Sequence, residues 1–142
     1  MEYNTMELYN VRMLDESDYE ILVEWWNWWK FTPPPRDFLP ENGTCGVIIE
    51  DSKGVPHCAG FLYLTNSGAA WVEFIVSNPD IKDKTVRKLM LNGLINAISS
   101  YAKSNDVKWI FTSVKNKSLI DRYSDCGFTV GSKETTEMIK RL

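Results

Sequence analysis

Three apolar runs lie close together at residues 44–50, 56–65 and 70–77, separated only by short glycine-bearing turns. Asp51-Ser52-Lys53-Gly54 is a turn with glycine where a positive φ is expected, and Asn66-Ser67-Gly68 is another turn, so the stretch predicts a three-stranded meander. Asn78-Pro79-Asp80 breaks the pattern, and the period then changes. Val86, Leu89, Met90, Gly93, Leu94, Ala97 and Ile98 recur at intervals of three and four, predicting one long amphipathic helix through about Lys103. A chain with both periods back to back is mixed α/β.

The flanks extend the same order. Residues 8–14 alternate as a first strand with Val11 and Met13 on one face. Asp15-Glu16-Ser17-Asp18 can cap a helix running from Tyr19 to about Lys30. Pro33-Pro34-Pro35 ends it, because proline lacks the amide donor and forces its predecessor out of the helical region. The loop that follows, through Arg36, Asp37, Phe38 and Leu39 to Asn42-Gly43, is long and aromatic for a connector. After the long helix, residues 108–114 read as a buried strand. Residues 117–125 read as a short helix with Leu119, Ile120 and Tyr123 inward, stopped at Cys126-Gly127. Residues 128–130 and 135–139 read as a final strand pair, giving β-α-βββ-α-β-α-ββ.

Composition narrows the class. The 142 residues are 44% hydrophobic and 25% charged, as in a single globular domain over 1–142, with a flexible N-terminal extension allowed for over 1–7. Sixteen basic against nineteen acidic residues give a formal charge of -3, which disfavours tight binding of duplex nucleic acid. Cys45, Cys58 and Cys126 are widely spaced and read as small apolar fillers, so neither a disulfide framework nor a metal site is expected. His57, the one histidine, is expected at the surface. Neither a signal-peptide pattern nor an apolar run of membrane-spanning length is present, so a cytoplasmic protein without membrane contact is expected.

Two local patterns bear on chemistry. The first is Val76-Ser77-Asn78-Pro79-Asp80-Ile81-Lys82-Asp83-Lys84-Thr85-Val86-Arg87-Lys88-Leu89, where a strand ends and the long helix begins. Unpaired amide donors at a helix start suit an anion. Lys82, Lys84, Thr85 and Arg87 add charge and a hydroxyl, although the same cations also make an ordinary solvated face. The second is Asn116-Lys117-Ser118-Leu119-Ile120-Asp121-Arg122-Tyr123-Ser124-Asp125-Cys126-Gly127-Phe128. Here Asn116 can cap the short helix, and Tyr123 is either a core aromatic or a proton donor.

Together with the element order, these segments resemble the GNAT superfamily, the Gcn5-related N-acetyltransferases, from about residue 8 onward. The resemblance implies an α/β (α+β) fold with a mixed central sheet and helices on both faces. It implies acetyl-CoA as cofactor and direct acetyl transfer to a primary amine on a small molecule, a protein or a modified nucleotide. In the family the turn carries Arg-x-x-Gly-x-Gly; here Lys82 replaces the arginine, and Thr85 and Arg87 replace the glycines. On this resemblance Lys82, Asp83, Lys84, Thr85, Val86 and Arg87 hold the pyrophosphate. Ile75 and Val76 offer main chain to the pantetheine arm, and Asn116 contacts the cofactor or caps its helix. Tyr123 is the general acid.

Glu73, the lone charge in Trp71-Val72-Glu73-Phe74-Ile75-Val76, is placed with Trp71 and Ile75 on one face, with Val72, Phe74 and Val76 on the other. It is either the general base or a strand residue facing solvent. Trp25, Trp28 and Trp29 cannot all face one core with Trp26; they line an acceptor wall or stack on the prolines, with Arg36 and Asp37 as polar contacts if the loop binds substrate. A monomer or homodimer is expected. The bare domain is similar to compact members carried by bacteriophages. The missing glycines keep a catalytically inactive, virion-associated or other binding module as the alternative, and base stacking in a nucleotide-modifying enzyme as a third.

Overall fold

The computed structural model describes residues 9–142; Leu8 and the extension allowed for over 1–7 lie outside the described residues. Strands β1 (Tyr9–Met13), β2 (Gly46–Asp51), β3 (Pro56–Leu64), β4 (Ala69–Ser77) and β5 (Trp109–Phe111) form one sheet in the order β1-β2-β3-β4-β5. The first four are antiparallel neighbours, with short turns joining β2 to β3 and β3 to β4 and helix α1 (Tyr19–Trp28) lying between β1 and β2; β5 runs parallel to β4. The parallel step needs a crossover, and helix α2 (Lys84–Ser104) supplies it.

Helix α1 (Tyr19–Trp28) covers one face; α2 and α3 (Lys117–Asp125) cover the other. The alternation within Val47-Ile48-Ile49 shows why β2 has no polar side. Val47 and Ile49 pack with Leu94, Ile95 and Ile98 of α2, whereas Ile48 packs with Leu22, Trp25 and Trp26 of α1. A strand covered on both faces is apolar throughout. The start of α1 is held by a buried carboxylate. Asp18, 2% exposed, receives two hydrogen bonds from the Arg12 guanidinium, at 2.9 and 2.8 Å, and one from the Asp15 amide at 2.8 Å. Asp15 in turn accepts from the Ser17 amide at 2.8 Å.

Three expectations need correction. The final strand pair does not form, and residues 128–142 have no strand or helix. Val130, Met138 and Ile139 are exposed there, because a polar stretch offers too little apolar surface to hold two more strands. The strand expected over 108–114 is consequently a short edge strand with Trp109 and Phe111 exposed. His57 is buried, not superficial, with Nε2 3.0 Å from the Asp51 carboxylate.

Candidate active site at the fork between β4 and β5

The parallel strands pair only from Ala69 to Trp71 on β4 and from Trp109 to Phe111 on β5. Beyond that point β4 continues to Ser77 while the chain after β5 turns toward α3, and the two part as a fork. A bulge shapes the fork. Ala59 pairs with Val76 and Phe61 with Glu73, so β4 holds one residue more than β3 in that interval. Phe74 takes φ 60, unusual for a bulky residue, and marks the extra position. Gly60 lies across from it: a Cβ there would stand 2.8 Å from Ile75 Cγ1.

The bulge rewrites the faces of β4. Val72 packs with the α2 side, but so does Ile75, while Phe74 and Val76 pack with the α1 side. Strict alternation had put Glu73 with Ile75; instead Glu73 lies opposite Phe61, which belongs to the α1 face. Phe74 is ringed by Trp26, Phe31, Phe38 and Tyr63, with centroids 5.7–6.5 Å away.

Glu73 and Tyr123 both reach the Thr112-Ser113 segment that follows β5. Glu73 is half-buried, and its Oε1 accepts from the Ser113 amide at 3.1 Å. Burial raises its pKa to about 7; the Ser113 amide opposes the rise, and the charge of Glu137 adds to it. Thr112, one residue earlier, places Oγ1 2.8 Å from the Val72 carbonyl and 3.2 Å from the Tyr123 hydroxyl. Its single hydrogen goes to the carbonyl, which can only accept. The tyrosine proton is then free for the threonine oxygen or for a ligand. Tyr123 is 4% exposed and lies against Phe128. Burial, chiefly, raises its pKa to about 12, so it stays a neutral donor near pH 7. The ring is core, as one sequence reading has it, and the hydroxyl lies against Thr112 beside the end of the β4–β5 pairing.

The helix start differs from an open anion site. Asp83 is the N-cap of α2, and its carboxylate accepts from the Thr85 and Val86 amides at 2.9 and 3.2 Å. Lys82 sits 5.3 Å from the Trp28 ring and Arg87 5.7 Å from that of Trp29. Arg87 also donates to the Ile81 carbonyl at 2.7 Å. The Trp29 indole donates to the Ser77 carbonyl at 2.8 Å, tying α1 to the end of β4.

One turn further on, Lys84, Arg87, Lys88, Leu91, Ser118 and Arg122 line a cleft of about 360 Å³ between α2 and α3. The sequence singled out Lys84 and Arg87 but not Ser118 or Arg122. The available signal was their spacing of four on α3, one helical face.

The remaining candidates are spread around this centre. Asn116 caps α3, accepting from the Leu119 amide at 3.0 Å. Trp25 is 5% exposed in the α1-side core and serves packing; Trp28 and Trp29 are open to solvent. Arg36 lies 4.4 Å over the Tyr19 ring and 3.5 Å from Glu20, anchoring the proline loop, and Asp37 is exposed on that loop. Among the described residues no cluster of histidine, cysteine or carboxylate could hold a metal, and no helix is long and apolar enough to cross a membrane.

No family model and no curated protein matches the chain. Solved structures do. The chain superposes on N-acetylglutamate synthase from Neisseria gonorrhoeae, complexed with coenzyme A and L-arginine, with a TM-score of 0.69 at 14% identity, over 92% of this chain and 30% of that one. For the ribosomal-protein-S18-alanine N-acetyltransferase from Escherichia coli the values are 0.68 and 13%, over 88% and 80%. For glucosamine-6-phosphate N-acetyltransferase from Arabidopsis thaliana they are 0.63 and 18%, over 94% and 100%. At such identities the likeness is one of fold, the general fold of GNAT acetyltransferases.

Proposed function

We propose that the chain is an acyl-CoA-dependent N-acyltransferase that moves an acetyl group to a primary amine. The observation that carries this reading is the juxtaposition, at a fork between parallel strands, of a carboxyl poised near pH 7 and a neutral phenol. Coenzyme A, when bound, supplies the acyl thioester that the amine attacks. The residues fit it in part. The edge of β4 beyond Trp71 is unpaired on the β5 side, and the α2–α3 cleft is cationic. Asp83, however, already occupies the helix-start amides. Pyrophosphate contact therefore falls to side chains at the start of α2, with Lys82 and Lys84 in place of glycine-loop amides.

Glu73, at a pKa near 7, takes the proton that the attacking amine loses, directly or through one water. Tyr123 would donate its phenolic hydrogen to the thiolate that leaves. An ordinary thiol has a pKa of about 8.5, so a thiolate is less basic than a tyrosinate of pKa about 12. Tyr123 thus serves as a hydrogen-bond donor to the developing charge rather than giving up its proton fully. A hydrogen bond to a charged group contributes about 1.5–3 kcal/mol, so Tyr123→Phe lowers turnover roughly ten- to a hundredfold. Affinity for coenzyme A stays the same in that variant. Unchanged turnover at saturating acetyl-CoA would remove Tyr123 from the mechanism.

The reading itself is tested by thermal melting with acetyl-CoA and by thiol release across a panel of primary amines. Ligand at about 100 times its Kd adds roughly 2.7 kcal/mol of stability. Absence of any shift at millimolar acetyl-CoA leaves the second reading, a catalytically silent binding module, which the capped helix start favours. Asp83→Ser separates the two effects of that carboxylate. Serine caps as well as aspartate, so stability changes little. An exposed charge at a helix start is worth about 0.3–1 kcal/mol, so coenzyme A binds roughly two- to fivefold tighter once it is gone. Weaker binding, by titration calorimetry, would mean that Asp83 assists the ligand.

A further inference from the structure

We infer that the cleft between α2 and α3 binds a phosphomonoester dianion and that, on the transferase reading above, this group is the 3′-phosphate of coenzyme A. Arg122 is the telling residue. It is 9% exposed, yet among the described residues no hydrogen bond uses its side chain, and its buried Nε has no partner. Among the described residues its one salt-bridge partner is Asp125, 3.4 Å from Nη1. A guanidinium held so far from water without hydrogen-bonded partners is costly, and an anion delivered to the cleft lowers that cost.

The rest of the lining points to a doubly charged oxyanion. Lys84, Arg87 and Lys88 on α2 and Ser118 and Arg122 on α3 bring four cations and a hydroxyl to one space of about 360 Å³, and no carboxylate lines it. On α2 the lining positions 84, 87, 88 and 91 follow a single helical face, and on α3 positions 118 and 122 do the same. The cleft is thus built by both helices together. Two guanidinium groups suit a phosphate with several free oxygens, which they can contact as forks. A diphosphate placed at the start of α2 would meet the Asp83 carboxylate; one turn along, the cleft lining carries no carboxylate. Arg87 is on hand there, its Nε also buried and without a partner.

Titration calorimetry of the intact chain with coenzyme A, dephospho-coenzyme A and adenosine 3′,5′-bisphosphate tests this. Coenzyme A binds at least tenfold tighter than its dephospho form, and Arg122→Gln abolishes the difference without weakening the dephospho form. Lys88→Gln, at an exposed position, is expected to shrink the difference even if the Arg122 variant does not fold. Equal affinity of the wild-type chain for the two coenzymes overturns the inference and leaves the transferase reading standing. Binding of adenosine 3′,5′-bisphosphate with neither coenzyme bound upholds the cleft and removes the transferase. If none of the three ligands binds, the cleft is not a phosphomonoester site.

Discussion

Glu73→Gln lowers acetyl transfer by about two to four orders of magnitude, the range over which a positioned general base contributes. Glutamine keeps the shape and can still accept from the Ser113 amide, but it cannot take a proton. In the wild-type chain the rate falls as pH drops through about 7, because the carboxylate is then protonated. The variant loses that limb. Stability moves the other way. A carboxyl whose pKa rises on folding binds its proton more tightly in the folded state, so its ionisation weakens the fold as pH climbs from the unfolded value toward 7 and beyond. The shift from 4.5 to about 7, reduced for solvent screening of a half-buried group, corresponds to roughly 1–3 kcal/mol. Glu73→Gln is therefore more stable than the parent above pH 7 and nearly equal to it below pH 4. Denaturant melts at pH 4 and 8 beside a pH–rate profile check both halves. A variant that is less active and also less stable at pH 8 would make Glu73 a structural residue.

That carboxyl shows how far a single chain can be read and where it stops. The meander, α2 and α3 follow from periods and stop signals that are local. α3 spans Lys117–Asp125 as expected, and Gly127, at φ 93, ends it where the sequence places a glycine stop. The bulge was not legible, because it is a property of two strands in register. Phe74 gives no local reason for φ 60, and Gly60, the residue that accommodates Ile75, lies on the strand opposite. Missing it assigned Glu73 a wrong companion in Ile75. The last strand pair failed in the converse way: residues 135–139 alternate well enough, but alternation makes a strand only where a partner edge and a core await it. Arg122 went unnoticed because its meaning comes from α2, far away in sequence. The motif around it drew attention to Asn116 and Tyr123, whose spacing on one short helix is visible in the letters alone.

Phe61→Ala is expected to cost about 3–5 kcal/mol, a large part of the roughly 5–15 kcal/mol that holds a domain together. Phe61 is 1% exposed; its ring stacks on Trp26 at 6.2 Å, and its backbone is in register with Glu73. Truncation leaves a cavity between α1 and the sheet, directly under the bulge. Trp26 and Phe74, which meet edge to face at 6.5 Å, then lose the ring that fixes their packing on this side. The melting temperature falls by on the order of 10 °C or more for a chain of this length. In the fraction that remains folded at low temperature, the damage is one-sided. The α2–α3 cleft lies across the sheet, and its lining touches none of these three rings, so affinity for adenosine 3′,5′-bisphosphate is retained. Turnover falls, because Glu73 depends on the β3–β4 register for its position. A loss below about 1 kcal/mol in denaturant titration would mean that α1 is not packed on the sheet as described. An equal loss of adenosine 3′,5′-bisphosphate affinity and turnover would mean that the two faces are not independent.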